Sequence, residues 1–139
     1  MSSIAGKDFQ RPALYHGAAF ADFDNDGRVD VVVTAVNGPA RLFRNTSPGP
    51  AHWLALRLTG THSNRDGLGA RVKVTLPTGA SQYNHATTSV GYASASEPVV
   101  RFGLGPYDRA SEIQIRWPSG RVQALRDVKG NRVVAVKEE

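Results

Sequence analysis

The chain has 139 residues, 40% of them apolar and 21% charged, with a formal net charge of +5. That length predicts one domain, or one domain with a small appendage, and the composition lies outside the disordered range. No run approaches the roughly 18 apolar residues of a membrane-spanning helix, and the absence of cysteine excludes disulfides, thiolate zinc sites and cysteine nucleophiles.

Met1–Arg11 lacks the apolar run of a signal peptide. Strand candidates then follow at Gly17–Ala21, Val29–Thr34 and Ala40–Arg44. Ser47-Pro48-Gly49-Pro50 is the best internal boundary and divides the chain at 1–49 and 50–139. Beyond it, Leu54, Leu56 and Leu58 alternate with Ala55 and Arg57, and Val72, Val74 and Leu76 alternate with Arg71, Lys73 and Thr75. Ser81–Ala86 and Pro98–Phe102 are further strand candidates. Ile113, Ile115 and Trp117 alternate with polar residues, Arg121–Leu125 is another candidate, and Val134 and Val136 close the series. Period-2 alternation puts each apolar set on one face of a sheet. The longest helical candidate, Asp108–Glu112, is about one turn. Turn signals such as Asn37-Gly38-Pro39, Pro77-Thr78-Gly79, Pro118-Ser119-Gly120 and Lys129-Gly130-Asn131 separate the runs. Many short strands with frequent Gly and Pro turns predict an all-β sandwich or barrel. The expected core is Leu54, Leu56, Leu58, Val72, Val74, Phe102, Ile113, Ile115, Trp117, Val134 and Val136.

Charge is uneven along this order. Residues 1–40 carry three bases and five acids, whereas residues 41–139 carry 14 bases and seven acids. Such a basic part attracts nucleic acid or acidic polysaccharide, but the bases form no runs, which favours a solvated sheet face and argues against a nucleic-acid partner.

The strongest chemical signal is Asp22-Phe23-Asp24-Asn25-Asp26-Gly27-Arg28-Val29-Asp30. Carboxylates fall at loop positions 1, 3, 5 and 9, with glycine at 6. Calcium takes six to eight hard oxygen ligands from a curled loop. The side chains of Asp22, Asp24, Asp26 and Asp30 and the carbonyl of Arg28 are the expected ligands of one Ca²⁺. A polar, Asx-rich turn without metal is the alternative. An EF-hand does not fit, because position 12 is Val33 and the flanks read as strands.

Residues 14–45, with this loop, Asp30-Val31-Val32-Val33 and Arg41-Leu42-Phe43-Arg44-Asn45, resemble one FG-GAP/VCBS repeat. The resemblance implies a calcium-binding blade of an integrin-type β-propeller. The second part resembles the ASPIC/UnbV domain of the cartilage-acidic-protein family, through Asn64–Val72, Phe102-Gly103-Leu104-Gly105 and Trp117-Pro118-Ser119-Gly120. Together they imply a β-sandwich preceded by a calcium-loop hairpin. One blade cannot close a ring. The chain is then a fragment, or its hairpin packs on its own sandwich or on a partner, giving a monomer or a homodimer through the blade edge. A secreted or cell-surface location is expected, with any signal peptide outside this chain.

Catalytic motifs are missing: the four histidines have no metal-ligand spacing, and neither a nucleophile elbow nor a P-loop is present. Asn45-Thr46-Ser47 fits a glycosylation acceptor in a eukaryotic secretory pathway. The expected function is therefore a non-catalytic, calcium-binding extracellular module for adhesion or recognition of an unidentified protein or glycan. One alternative is a carbohydrate-binding accessory module, with Trp53, Tyr83, Tyr92 and Tyr107 as candidate ligand-binding aromatics. The other is an enzyme with an unrecognised site.

Overall fold

The computed structural model describes residues 6–49 and 51–139; Pro50, the last residue of the expected boundary, lies outside them. Among the described residues it contains twelve strands and no helix. In chain order these are β1 Tyr15–Ala21, β2 Asp30–Ala35, β3 Arg41–Phe43, β4 His52–Thr59, β5 Arg71–Thr75 and β6 Ser81–His85. They continue with β7 Ser89–Gly91, β8 Ser94–Ala95, β9 Val99–Gly105, β10 Arg109–Arg116, β11 Val122–Lys129 and β12 Arg132–Lys137. The chain divides into two compact units, one of Met1–Thr46 with Ser89–Glu97 and one of Ser47–Thr88 with Pro98–Glu139.

The first unit holds an antiparallel meander, β1-β2-β3, and the small β7-β8 pair. The β-branched run Val31-Val32-Val33-Thr34 suits the pleated centre of the meander. Ser89–Glu97, expected only as a polar stretch of the second part, reaches the outer edge of β1. There the N–H of Ala18 donates to Ser94 Oγ at 3.0 Å and that of Phe20 to Ser96 Oγ at 2.8 Å. Two hydroxyls thus occupy backbone donors that an open edge would offer to another strand. The only buried residues in this unit, among those described, are Asp22 and Asp30.

The second unit has two sheets, β11-β10-β5-β6 and β12-β4-β9. Their inward faces supply one cluster: Leu54, Leu56 and Leu58 from β4, Val100, Phe102 and Leu104 from β9, Val72 and Val74 from β5, and Ile113 and Ile115 from β10, with Trp117 following β10. This is the packing of a β-sandwich. Ten of the eleven expected core residues are buried, and Val134 packs partly buried against them. The Trp117 indole N–H donates to Gln123 Oε1 at 3.1 Å, so its polar end is satisfied within the core. Ala55, expected on a wet face, is fully buried. It pairs with Val133 on one side and Arg101 on the other, whose longer side chains shade its methyl. Asp108–Glu112 is not helical: residues 109–112 begin β10, where pairing with β5 and β11 outweighs a single turn of local preference.

Candidate metal centre

Asp22 follows the last residue of β1, and Asp30 opens β2. The loop between them reverses through two left-handed residues, Asn25 at φ 58° and Gly27 at φ 88°, a region asparagine and glycine enter at low cost. The reversal points main-chain N–H groups at the first aspartate. Asp22 Oδ1 accepts from the N–H of Asp26 at 3.0 Å and Oδ2 from that of Gly27 at 2.9 Å. Asp30 accepts from the N–H of Phe23 at 3.1 Å and of Asn45 at 2.7 Å.

Carboxylate oxygens of Asp22, Asp24 and Asp30 lie within 4.8 Å of one another. Asp26 points elsewhere. Its carboxylate meets the Arg28 guanidinium and, at 3.6 Å, that of Arg44, which also reaches Asp24 at 2.6 Å. The Arg28 main-chain N–H is the largest influence on the Asp26 carboxyl and lowers its pKa. Partial desolvation opposes this, and the Arg28 charge and a hydrogen bond with Asp24 add to the lowering. Arg28 also donates through Nε to the Asn45 carbonyl at 2.8 Å, and Asn45 Nδ2 donates to the Val29 carbonyl at 3.3 Å. Arg44 and Asn45, expected only as the end of a closing strand, thus bond directly to the aspartate loop. Basic and amide residues just after β3 were the available signal.

The donors that converge are all carboxylate oxygens, without nitrogen or sulfur. That chemistry suits calcium, magnesium or manganese over zinc or copper. The residues fit a hard divalent cation.

The candidate aromatics are dispersed. Tyr83 stands on the outer face of β6 and Tyr92 in the β7–β8 turn of the first unit, both well exposed. Trp53 is half-buried on β4, and Tyr107 is half-buried between β9 and β10. No ring contact joins Trp53, Tyr83 and Tyr107 among the described residues.

A third buried carboxylate, Glu138, lies in the sandwich unit. Glu138 Oε2 accepts from the N–H groups of Thr61, His62 and Ser63, each at 2.8 Å, and Oε1 from the hydroxyls of Ser63 at 2.9 Å and Ser119 at 2.5 Å. Burial pushes its pKa up, but the Ser119 hydroxyl and the three backbone donors outweigh burial and hold it well below the ordinary carboxylate range. The arrangement locks the 61–63 loop and the 118–120 turn to the last strand. Sequence reasoning passed over Glu138, although it continues the inward phase of Val134 and Val136.

The family model described as ASPIC and UnbV matches residues 60–139. Cartilage acidic protein 1 of Homo sapiens is 28% identical over 125 residues, covering 88% of this chain and 18% of its own length. The Mus musculus protein of the same name is 28% identical over 125 residues, covering 88% and 19%. That of Xenopus tropicalis is 28% identical over 109 residues, covering 76% and 16%. The chain therefore spans less than a fifth of the length of these relatives. An alignment covering 88% of the chain also has to include the Asp22–Asp30 loop. With more than half of its residues matched by the family model, and the matched part holding every strand of the second unit's sandwich except β4, the chain belongs to the ASPIC and UnbV family.

Proposed function

We propose that the chain is a non-catalytic, calcium-binding extracellular module for adhesion or ligand recognition, with its first unit an FG-GAP/VCBS-type repeat. The observation that carries this reading is the make-up of that unit. Among its described residues the only two buried side chains are aspartates, and a third carboxylate shares their space. Clustered buried carboxylates repel one another and are costly to hold without a counter-charge. A bound calcium ion supplies that charge and ties the β1–β2 loop to its strands. Asp22, Asp24 and Asp30 would hold it, Asp24 giving up its ion pair with Arg44, and recruiting Asp26 exchanges its arginine partners for the metal.

Calcium here stabilises the fold and does not switch it, since strands rather than a mobile helix pair flank the loop. The matched relatives are named for cartilage, a tissue made mostly of extracellular matrix, which supports placing the module outside the cell. There calcium is abundant enough for sites binding at about 10⁻⁴–10⁻³ M. No helix among the described residues is long and apolar enough to cross a membrane.

The test is a calorimetric titration of the full chain with calcium chloride. One site is expected, lost in Asp30→Asn, together with a higher melting temperature in the unsubstituted chain. The absence of both heat and a melting shift at millimolar calcium would overturn the reading.

A further inference from the structure

The solvent face of the β11-β10-β5-β6 sheet carries an unneutralised cationic groove. Arg116 of β10 pairs directly with Arg71 of β5, and Arg71 with His85 of β6, so three basic side chains stand in one row across the strands. In the next row Gln114 pairs with Lys73 and Lys73 with Tyr83. Among the described residues, Arg71, Lys73 and Arg116 form no ion pair. The nearest acid along the face, Glu112, is held by Arg126 at 3.8 Å. These residues line an open groove of about 750 Å³. Like charges directly opposite each other destabilise a sheet, so the row works against folding unless an anion lies on it.

We infer that this groove binds an acidic polysaccharide, its guanidinium groups taking sulfate or carboxylate and Tyr83 stacking on a sugar ring. The inference deepens the proposed recognition role by naming a ligand class. Adjacent strands are about 4.8 Å apart and alternate residues about 7 Å apart, so the cations form a short two-dimensional array. That array meets a chain bearing an anionic group on successive residues. Arginine offers a planar fork that matches sulfate and carboxylate. Tyr83 is 74% exposed and presents a flat apolar surface, with the Lys73 ammonium 6.0 Å from its ring centre. Among the residues lining the groove it is the only phenylalanine, tyrosine or tryptophan. Single-stranded nucleic acid is bound on several successive rings, which disfavours that ligand.

The experiment measures binding of the full chain to immobilised heparin, chondroitin sulfate, hyaluronan and single-stranded DNA in roughly 0.15 M salt. Retention by the sulfated chains, or by hyaluronan through carboxylates alone, is expected; the arms show which anion is read. Arg71→Gln with Arg116→Gln should weaken binding by about tenfold, while keeping or raising the melting temperature. A charge-matched control, Arg57→Gln with Arg132→Gln, should have much less effect, and Tyr83→Ala should weaken binding with all cations in place. The inference is overturned by equal losses in the two double variants, by no effect of Tyr83→Ala, or by tighter binding of DNA through the same residues. Binding should also survive chelation of calcium, because the groove lies wholly in the second unit. A loop that takes no metal therefore leaves the glycan result intact, whereas binding lost on chelation would refute the placement on this face.

Discussion

Gly67 lies so close to Leu58 that a β-carbon on the glycine would stand 2.5 Å from the leucine Cβ. The same carbon would stand 3.5 Å from Trp117 Cζ3, and Gly67 has φ +65°. The Asn64–Val72 motif thus brings bare backbone against the sandwich core. Gly67→Ala combines overpacking with left-handed strain and should cost roughly 2–4 kcal/mol in denaturant melts. Gly69→Ala, whose new carbon would meet only Pro118 Cγ at 3.4 Å but at φ +88°, should cost less, about 1–2 kcal/mol. Equal costs would show that conformation, not contact, fixes Gly67.

Ile115 is fully buried on β10, between Val72 of β5 and Gln123 of β11. Ile115→Ala should destabilise the second unit by roughly 2–5 kcal/mol. Val134→Ala, at a half-buried site, should cost clearly less. Trp53 and Trp117 both belong to the second unit, so tryptophan fluorescence follows its unfolding selectively.

Glu138 predicts an acid-sensitive sandwich. Its folded-state pKa is depressed from an ordinary 4.5. A depressed carboxylate contributes stability that is present above its unfolded-state pKa and is lost as pH falls through the folded value. The melting temperature should therefore fall as pH drops below about 4.5. Glu138→Gln should lower it at neutral pH and flatten that acid limb. A limb as steep as in the unsubstituted chain would move the effect to another carboxylate.

Calcium should slow hydrogen exchange in peptides covering residues 15–45, and also in those covering 89–97, because Ser94 and Ser96 bond to β1. A ligand at 100 times its dissociation constant adds roughly 2.7 kcal/mol to the state that binds it. Protection confined to 15–45 would mean that the serine contacts open independently of the loop.

The sandwich was legible because its strands alternate cleanly. Leu54-Leu56-Leu58 and Ile113-Ile115-Trp117 mark an inward face without help from the rest of the chain. The clustering of the aspartate loop was legible because its carboxylates recur at fixed short spacing. What escaped depends on distant partners. Ser94 and Ser96 look like surface polar residues until β1, 76 residues earlier, supplies the N–H groups they accept. The fork of Arg44 and Asn45 onto the loop requires knowing where β3 ends. The outward row of Arg116, Arg71 and His85 exists only through strand register, which periodicity within one strand does not give.

The excursion of Ser89–Glu97 also bears on the order in which a growing chain can fold. The first unit has to wait for about half of the second to be synthesised before its serine-bearing strand pair arrives. The second waits longer still, since Arg132–Lys137 pairs in parallel with His52–Thr59 and Glu138 is needed to fasten the 61–63 loop. Neither unit can be finished from its own beginning outward. Contacts this distant in sequence make folding slow, so a nascent chain that stalls before its last strand leaves both the Leu54–Leu58 face and the β4 edge open to wrong partners.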